Sequence, residues 1–205
     1  MPKAWVRERK REYYYKKAKE EKYRSRAAYK LLQAVKKYHF IKDGSVVVDL
    51  GAAPGGWIQA ARKTVGDEGF VLGVDIRPIE PFLESNVRTI IGDITEEGTV
   101  QQILKLLPRK ADAVISDTAP NISGVWEVDH ARQMDLAQQA LKITLETLEP
   151  SGTFFTKVFQ GDMLRDFIDE LKQHFEIVKI MKPKASRAKS SEIFLIGIHL
   201  KRTAR

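Results

Sequence analysis

Two lysines and two acids, Lys30, Asp117, Lys157 and Glu192, stand far apart in the chain, yet each sits where a packed α/β fold can turn it toward one cleft. Such a set suits a reaction in which a weakly acidic hydroxyl is lined up behind an electrophilic carbon and loses its proton as the bond forms. A lysine in its neutral form can accept that proton. Desolvation and a second ammonium nearby both favour the neutral form, and Lys30 is able to supply that like charge to Lys157. The two carboxylates oppose the effect, so they are better suited to orient the lysines and to receive charge after transfer. Beside the same cleft belongs the run Gly51-Ala52-Ala53-Pro54-Gly55-Gly56-Trp57. It follows the apolar stretch Ser45 to Leu50, which reads as a buried parallel strand, so the glycines fall where a strand hands over to a helix.

The elements that must position these residues follow from periodicity. From Ser25 to Tyr38, Ala28, Leu31, Leu32 and Val35 recur at helical spacing, with Ser25 as the expected N-cap. Strands are predicted at 45–50, 70–75, 87–91, 111–116, 152–158, 175–181 and 192–200, with helical patterns between most of them. The alternation implies a doubly wound sheet. Lys182 to Ser191 is too short for a helical crossover, so the last two strands should pair antiparallel at one edge. The expected architecture is therefore α/β and Rossmann-like, seven strands, mostly parallel with one antiparallel edge strand, and helices on both faces. A chain of 205 residues, 43% hydrophobic, suits one domain, placed at 24–205 after a mobile basic arm at 1–23.

Composition removes several chemistries. With no cysteine there is no disulfide, thiolate metal site or cysteine nucleophile. His39, His130, His174 and His199 are scattered without ligand spacing, so no metal is expected. Residues 1–21 are charged throughout, and no apolar run is long enough to cross a bilayer, so a cytoplasmic protein with no membrane partner is expected.

The glycine loop permits two cofactor readings. Gly51, Ala53 and Gly56 loosely fit a dinucleotide fingerprint, and Asp75 ends the second strand, where an acid accepts hydrogen bonds from ribose hydroxyls. Two details favour S-adenosylmethionine over a nicotinamide dinucleotide. Asp49 places a carboxylate just before the loop, suited to an ammonium and a sulfonium, and Pro54 removes a donor that a pyrophosphate would use. The loop amides would instead hold the cofactor's carboxylate. Asp93, ending the third strand, can accept a bond from the adenine amino group. Plainer roles stay open: a turn or helix cap for Asp75, a turn after Gly92 for Asp93, and helix-to-sheet packing for Trp57.

Charge distribution points to the other substrate. Residues 1–30 hold 12 Lys/Arg against 4 Asp/Glu, residues 172–205 hold 9 against 2, and the section between holds 14 against 21. Two basic ends that can meet in space are what a polyphosphate backbone selects, and Tyr13, Tyr14, Tyr15 and Tyr23 offer faces for unpaired bases. RNA is favoured, with a solvated basic tail as the plain alternative. Lys182, Lys184, Arg187 and Lys189, with Ser186, Ser190 and Ser191, can bind phosphates. Residues 123–129, with Trp126, are either a mobile wall stacking on the target base or core packing.

Among the four reactive candidates, Lys157 is the most telling, because Phe154, Phe155, Val158 and Phe159 surround it and a cation there must face a cleft. Lys30 falls opposite Ala28, Leu31 and Val35 on its helix, which by itself leaves it solvated. Asp117 ends an apolar strand, where N-capping is the rival role, and Glu192 could simply pair with Arg187 or Lys189.

Four motifs together carry a resemblance: Arg24-Ser25-Arg26-Ala27 with Tyr29-Lys30-Leu31, then Ser116-Asp117-Thr118-Ala119-Pro120-Asn121, Lys157-Val158-Phe159-Gln160-Gly161, and Lys182-Pro183 through Ser186 to Glu192. In this order, over about residues 24–200, the chain resembles the FtsJ/RrmJ family of ribose 2′-O-methyltransferases that act on large-subunit ribosomal RNA. The resemblance implies a seven-stranded S-adenosylmethionine-dependent methyltransferase fold, with cofactor contacts at Gly55, Trp57, Asp75, Asp93 and Asp117. It also implies a catalytic tetrad of Lys30, Asp117, Lys157 and Glu192. Thr118 stands where the family usually has Met. The reading is a monomeric enzyme that methylates the 2′-hydroxyl of a uridine in ribosomal RNA, within a large subunit or its precursor, with Arg24, Arg26 and the 182–189 cations on the RNA. An enzyme of the transfer RNA anticodon loop is the nearest alternative. A non-catalytic RNA-binding assembly factor of the same fold is the alternative from another class.

Overall fold

The computed structural model describes residues 13–186 and 190–202. The β-branched run of β1 (Val46–Leu50) is buried at every position, as the central strand of a parallel sheet must be. Parallel neighbours flank it, β2 (Phe70–Asp75) on one side and β4 (Ala111–Ser116) on the other. With β3 (Val87–Ile91), β5 (Leu148–Phe159), β6 (Phe175–Met181) and β7 (Glu192–Leu200) the sheet has seven strands in the order β3-β2-β1-β4-β5-β7-β6.

The antiparallel pair expected at one edge is present as β6 and β7. The reversed strand is β7, seated between β5 and β6, so the outermost position goes to β6, which runs with the majority. A helical crossover from β5 carries the chain one strand too far, and the short loop that follows folds β7 back into the space left. The consequence for the site is a register in which Glu192, opening β7, lies opposite Phe159, closing β5. Glu192 thereby joins the carboxyl ends of the parallel strands, where sites form in such sheets.

One face of the sheet is covered by α1 (Ala28–Tyr38) and α2 (Gly56–Val65), which share a core with Val47, Phe155, Phe194 and Ile196. The other face takes α3 (Glu97–Leu106), α4 (Trp126–Thr147) and α5 (Leu164–His174), packed on Val48, Leu72, Phe154 and Leu195. Trp57 lies between layers: only 3% exposed, it stacks on Phe155 at 5.7 Å and Phe194 at 5.8 Å, and its Nε1 donates to the Ala27 carbonyl at 2.7 Å. Its side chain is therefore core that ties α1 to α2.

Two local expectations change. Ser25 does not cap α1, which starts at Ala28 without a side-chain cap; its Oγ instead lies against Gly56, where a Cβ would come within 2.2 Å of it. A mobile arm through residue 23 is also the sequence expectation, whereas residues 13–20 are helical. Tyr14 and Ala18, one turn apart, form an apolar stripe that docks on α1, with Ala18 buried, Tyr14 tilted against Tyr29 at 5.3 Å, and Tyr23 edge-on to Tyr29 at 5.6 Å. Gln33 Nε2 donates to Tyr14 Oη at 2.9 Å and closes the contact. The start of the arm, residues 1–12, lies outside the described residues.

Replacing Trp57 by Ala removes a fully packed aromatic and should lower unfolding free energy by about 3–5 kcal/mol. Trp57→Phe should lose only about 1 kcal/mol for the missing hydrogen bond plus a packing remainder. Chemical denaturation of the two variants measures both.

Candidate active site

Four side chains from four elements meet at the carboxyl edge of the sheet. Asp117 follows β4, and its backbone N–H continues the ladder onto the Leu50 carbonyl at 3.2 Å. Lys157, six per cent exposed at its side chain, reaches from β5 to Asp117, with Nζ 3.1 Å from Oδ1 and donating to the Asp117 carbonyl at 2.9 Å. Lys30 comes from α1 and lies 3.6 Å from Asp117 Oδ2 and 2.8 Å from Glu192 Oε1, with the Phe194 ring 5.4 Å below its ammonium. Helical geometry alone leaves Lys30 solvated; the strand β7 laid across that face encloses it. The result is an alternating line, Glu192, Lys30, Asp117, Lys157.

Electrostatics follow from that alternation. Burial pushes the Asp117 carboxyl up, but the Lys157 and Lys30 ammoniums together push it down by more, and it stays below the ordinary carboxylate value. Ser186 Oγ donates to Glu192 Oε1 at 2.8 Å, so the oxygen that meets Lys30 is held from the opposite side by the loop before β7. Gln133 of α4 donates to the Lys157 carbonyl at 3.1 Å and braces β5 from the other layer.

Asp117 also lines a cavity of about 500 Å³ whose wall includes Gly51, Ala53, Asp75, Asp93, Thr118 and Asn121. Gly51 turns here with φ +77°, and a Cβ on it would come within 2.8 Å of Thr118, so the loop and the segment after β4 close on each other. Asp75 fastens the loop: Oδ2 accepts from the Ala53 N–H at 2.9 Å, and Oδ1 from the Arg77 N–H at 2.9 Å. Asp93 forms a turn, its Oδ1 accepting from Thr95 N–H and Oγ1 at 2.9 and 2.8 Å. Both acids thus hold turns and face the cavity at once.

Other sequence candidates land elsewhere. Gly55 and Gly56 are outside the cavity wall; Gly55, φ +105°, leaves room for Arg24 and Phe82, and Gly56 for Ser25. Arg24 is engaged inside the fold, stacked on Phe82 at 3.9 Å and donating to the Glu80 and Pro81 carbonyls at 2.6 and 2.9 Å, which staples the segment after β2 to the glycine loop. Arg26 sits in the turn before α1. Lys182 donates to the Ser190 carbonyl at 2.7 Å, and the Lys184 N–H donates to Gln33 Oε1 at 2.7 Å, so the basic loop is docked on α1. Arg187 and Lys189 lie outside the described residues. Asp49 is fully enclosed and not in the cavity wall, and among the described residues neither of its oxygens has a hydrogen-bond partner. Burial, then the neighbouring Asp117 and Asp75 charges, push its carboxyl well above the ordinary range.

Sequence reasoning missed Gln133, Gln33 and the Ser186 bond to Glu192. A glutamine within the buried stripe of α4 is the signal that pointed to the first. The other two depend on contacts between remote segments.

A parallel-sheet domain with an acid-lined cavity at its carboxyl edge, adjoining a buried pair of lysines and carboxylates, defines a group-transfer enzyme of the α/β class. A family model described as FtsJ-like methyltransferase matches residues 23–200. The chain is 52% identical over 198 residues to a protein of Methanocaldococcus jannaschii named ribosomal RNA large subunit methyltransferase E, covering 95% of this chain and 81% of that one. It is 54% identical over 187 residues to a protein of the same name from Methanothrix thermoacetophila, covering 91% and 72%. Among solved structures, a ribosomal RNA methyltransferase from Plasmodium falciparum superposes with a TM-score of 0.76 at 28% identity, over 88% of this chain and all of that one. The chain belongs to the FtsJ-like methyltransferase family.

Asp49→Asn tests the charge balance beneath the site. A raised carboxyl destabilises the fold progressively as pH climbs from the unfolded value, about 3.8, through the folded one, and has no such effect below both. The wild-type protein should therefore lose stability over that rise, and the Asn variant should show a flatter profile, read by denaturant midpoints against pH.

Proposed function

We propose that the chain methylates the ribose 2′-hydroxyl of a uridine in large-subunit ribosomal RNA. The observation that carries this reading is that one residue, Asp117, belongs both to the lysine-carboxylate line and to the acid-lined cavity. The methyl donor is S-adenosylmethionine, which supplies an electrophilic methyl on a sulfonium centre. The residues present fit that donor: the cavity has the volume of a cofactor site, and Asp75, Asp93 and Asp117 make its wall acidic, while Asp49 lies enclosed behind it. Asp75 would hold the donor's ribose hydroxyls and Asp93 its adenine amino group. The amides around Gly51 would hold its carboxylate. Gly55, Gly56 and the Trp57 anchor contribute by giving the loop its shape.

Lys157 is the base. Nζ takes the proton of the 2′-hydroxyl as its oxygen attacks, and the ammonium that results sits 3.1 Å from Asp117 Oδ1, whose charge offsets it. Its bond to the Asp117 carbonyl fixes where Nζ points. Lys30 keeps Asp117 ionised, and Glu192 balances Lys30. The exposed part of the helix at 13–20 and the loop at 182–189 would carry the RNA backbone, making residues 1–23 an RNA-binding extension of a methyltransferase domain at 24–205. The relatives' printed name supports large-subunit ribosomal RNA as the substrate, and the enzyme would act as a cytoplasmic monomer on that RNA within a ribosomal particle.

Incubation with methyl-labelled donor, total RNA and large ribosomal subunits, followed by mapping of the label, tests the proposal. Label at one uridine ribose of the large-subunit RNA is expected; label on transfer RNA alone would reject the assignment of substrate. Lys157→Ala should lower the methylation rate by about 10² to 10⁴ while the donor's dissociation constant stays close to wild type. Asp75→Ala should do the converse, weakening donor binding measured by calorimetry.

A further inference from the structure

Trp126 opens α4 and is 43% exposed. Its ring is not loose. It lies nearly parallel to His130 at 5.7 Å and 16°, and to Phe159 at 6.0 Å and 23°. The stack is braced on both sides. Asp129 accepts from Ser123 N–H, Ser123 Oγ and Gly124 N–H at 2.7, 2.8 and 3.1 Å, which sets the segment leading into α4. His130 Nε2 accepts from the Met163 N–H at 3.3 Å, and the His130 ring fills the space beside Gly161, so the turn after β5 is held against the same helix.

The place of the stack gives it meaning. Phe159 lies two residues beyond Lys157 on β5, a distance of about 7 Å along a strand, and pairs with Glu192. Through Phe159 the indole lies at the same end of the sheet as the four charged residues. Bases stack on aromatic faces whatever their identity, and a rigid face binds at lower entropic cost than one that must first be ordered.

Building on the RNA reading above, we propose that Trp126 is a stacking platform for an unpaired base of the RNA, at or next to the nucleotide whose ribose is presented to Lys157. The platform fixes the sugar by holding its base, and Phe159 and His130 preset its plane. It reads a π-face and no hydrogen-bonding edge, so choice of nucleotide falls to other contacts.

The test uses the full chain, an oligouridylate, and an abasic chain with the same sugar-phosphate backbone. Wild-type protein should bind the oligouridylate more tightly, with quenching of an emission component that Trp126→Phe lacks. Trp126→Ala should weaken oligouridylate binding by about five- to hundredfold and leave abasic binding and the salt slope unchanged. Trp126→Phe should recover most of the loss. Circular dichroism and donor binding serve as fold controls and should match wild type in both variants, while thermal unfolding of Trp126→Ala should fall with the lost stack. Wild-type affinity for the oligouridylate in Trp126→Ala, or equal binding of the two oligomers by the wild type, overturns the platform. Neither readout involves methyl transfer, so failure to label ribosomal RNA would reject the proposed reaction without deciding this one.

Discussion

A carboxylate enclosed at the edge of a sheet keeps its charge only while cations stay beside it, and Asp117 has one on each side. Removing either lysine would leave the Asp117 charge with half of its compensation, and removing Lys30 would also take the cation from Glu192; a buried charge short of partners costs more than the intact pair contributes. Each lysine is in turn balanced, Lys157 by Asp117 and its carbonyl, Lys30 by Glu192. The four groups are therefore mutually dependent, and the elements that carry them, α1, β5, β7 and the segment after β4, are locked in relative position by the same contacts. Organisation of this charged line and cohesion of this edge of the fold are one property.

Around that line, the parts that look like ligand contacts in isolation are often the parts that keep the cavity in shape. Arg24 joins the glycine loop to the segment after β2, and Trp57 pins the first turn of α2 to α1. Asp75 holds the loop by the Ala53 amide while facing the cavity. A preformed pocket needs such internal ties, because groups left to find their places on binding would spend affinity on ordering.

Much of this was legible in the sequence, for reasons that differ by residue. Strands such as Val46–Leu50 and Glu192–Leu200 are largely apolar runs bounded by turn residues, so their limits follow from local chemistry. The first turn of β5 was not legible, since Leu148-Glu149-Pro150-Ser151 reads as a turn and pairs with Ala111 only through a register shift. Lys157 was marked by the phenylalanines around it. Lys30 was not, because its own helix places it on the polar side and only β7 covers it. Tyr14 and Ala18 were lost among charges, as a stripe of two small contacts gains weight only when Tyr29 faces it. Trp57 and Trp126 share a residue type and have opposite fates, one enclosed and one half open, and nothing local separates them.

The reversed strand has a temporal consequence. Since β7 inserts between β5 and β6, its slot exists only after both neighbours have been made, and Glu192 is the last of the four charged groups to emerge during synthesis. Until then Lys30 has only Asp117, at 3.6 Å, and lacks the closer Glu192, and α1 lacks the strand that encloses its inner side. A nascent chain that stops short of β7 can shape the glycine loop and most of the sheet, yet it holds an unfinished centre. The meeting of the four charged groups is thus a single late event, tied to the synthesis of β7.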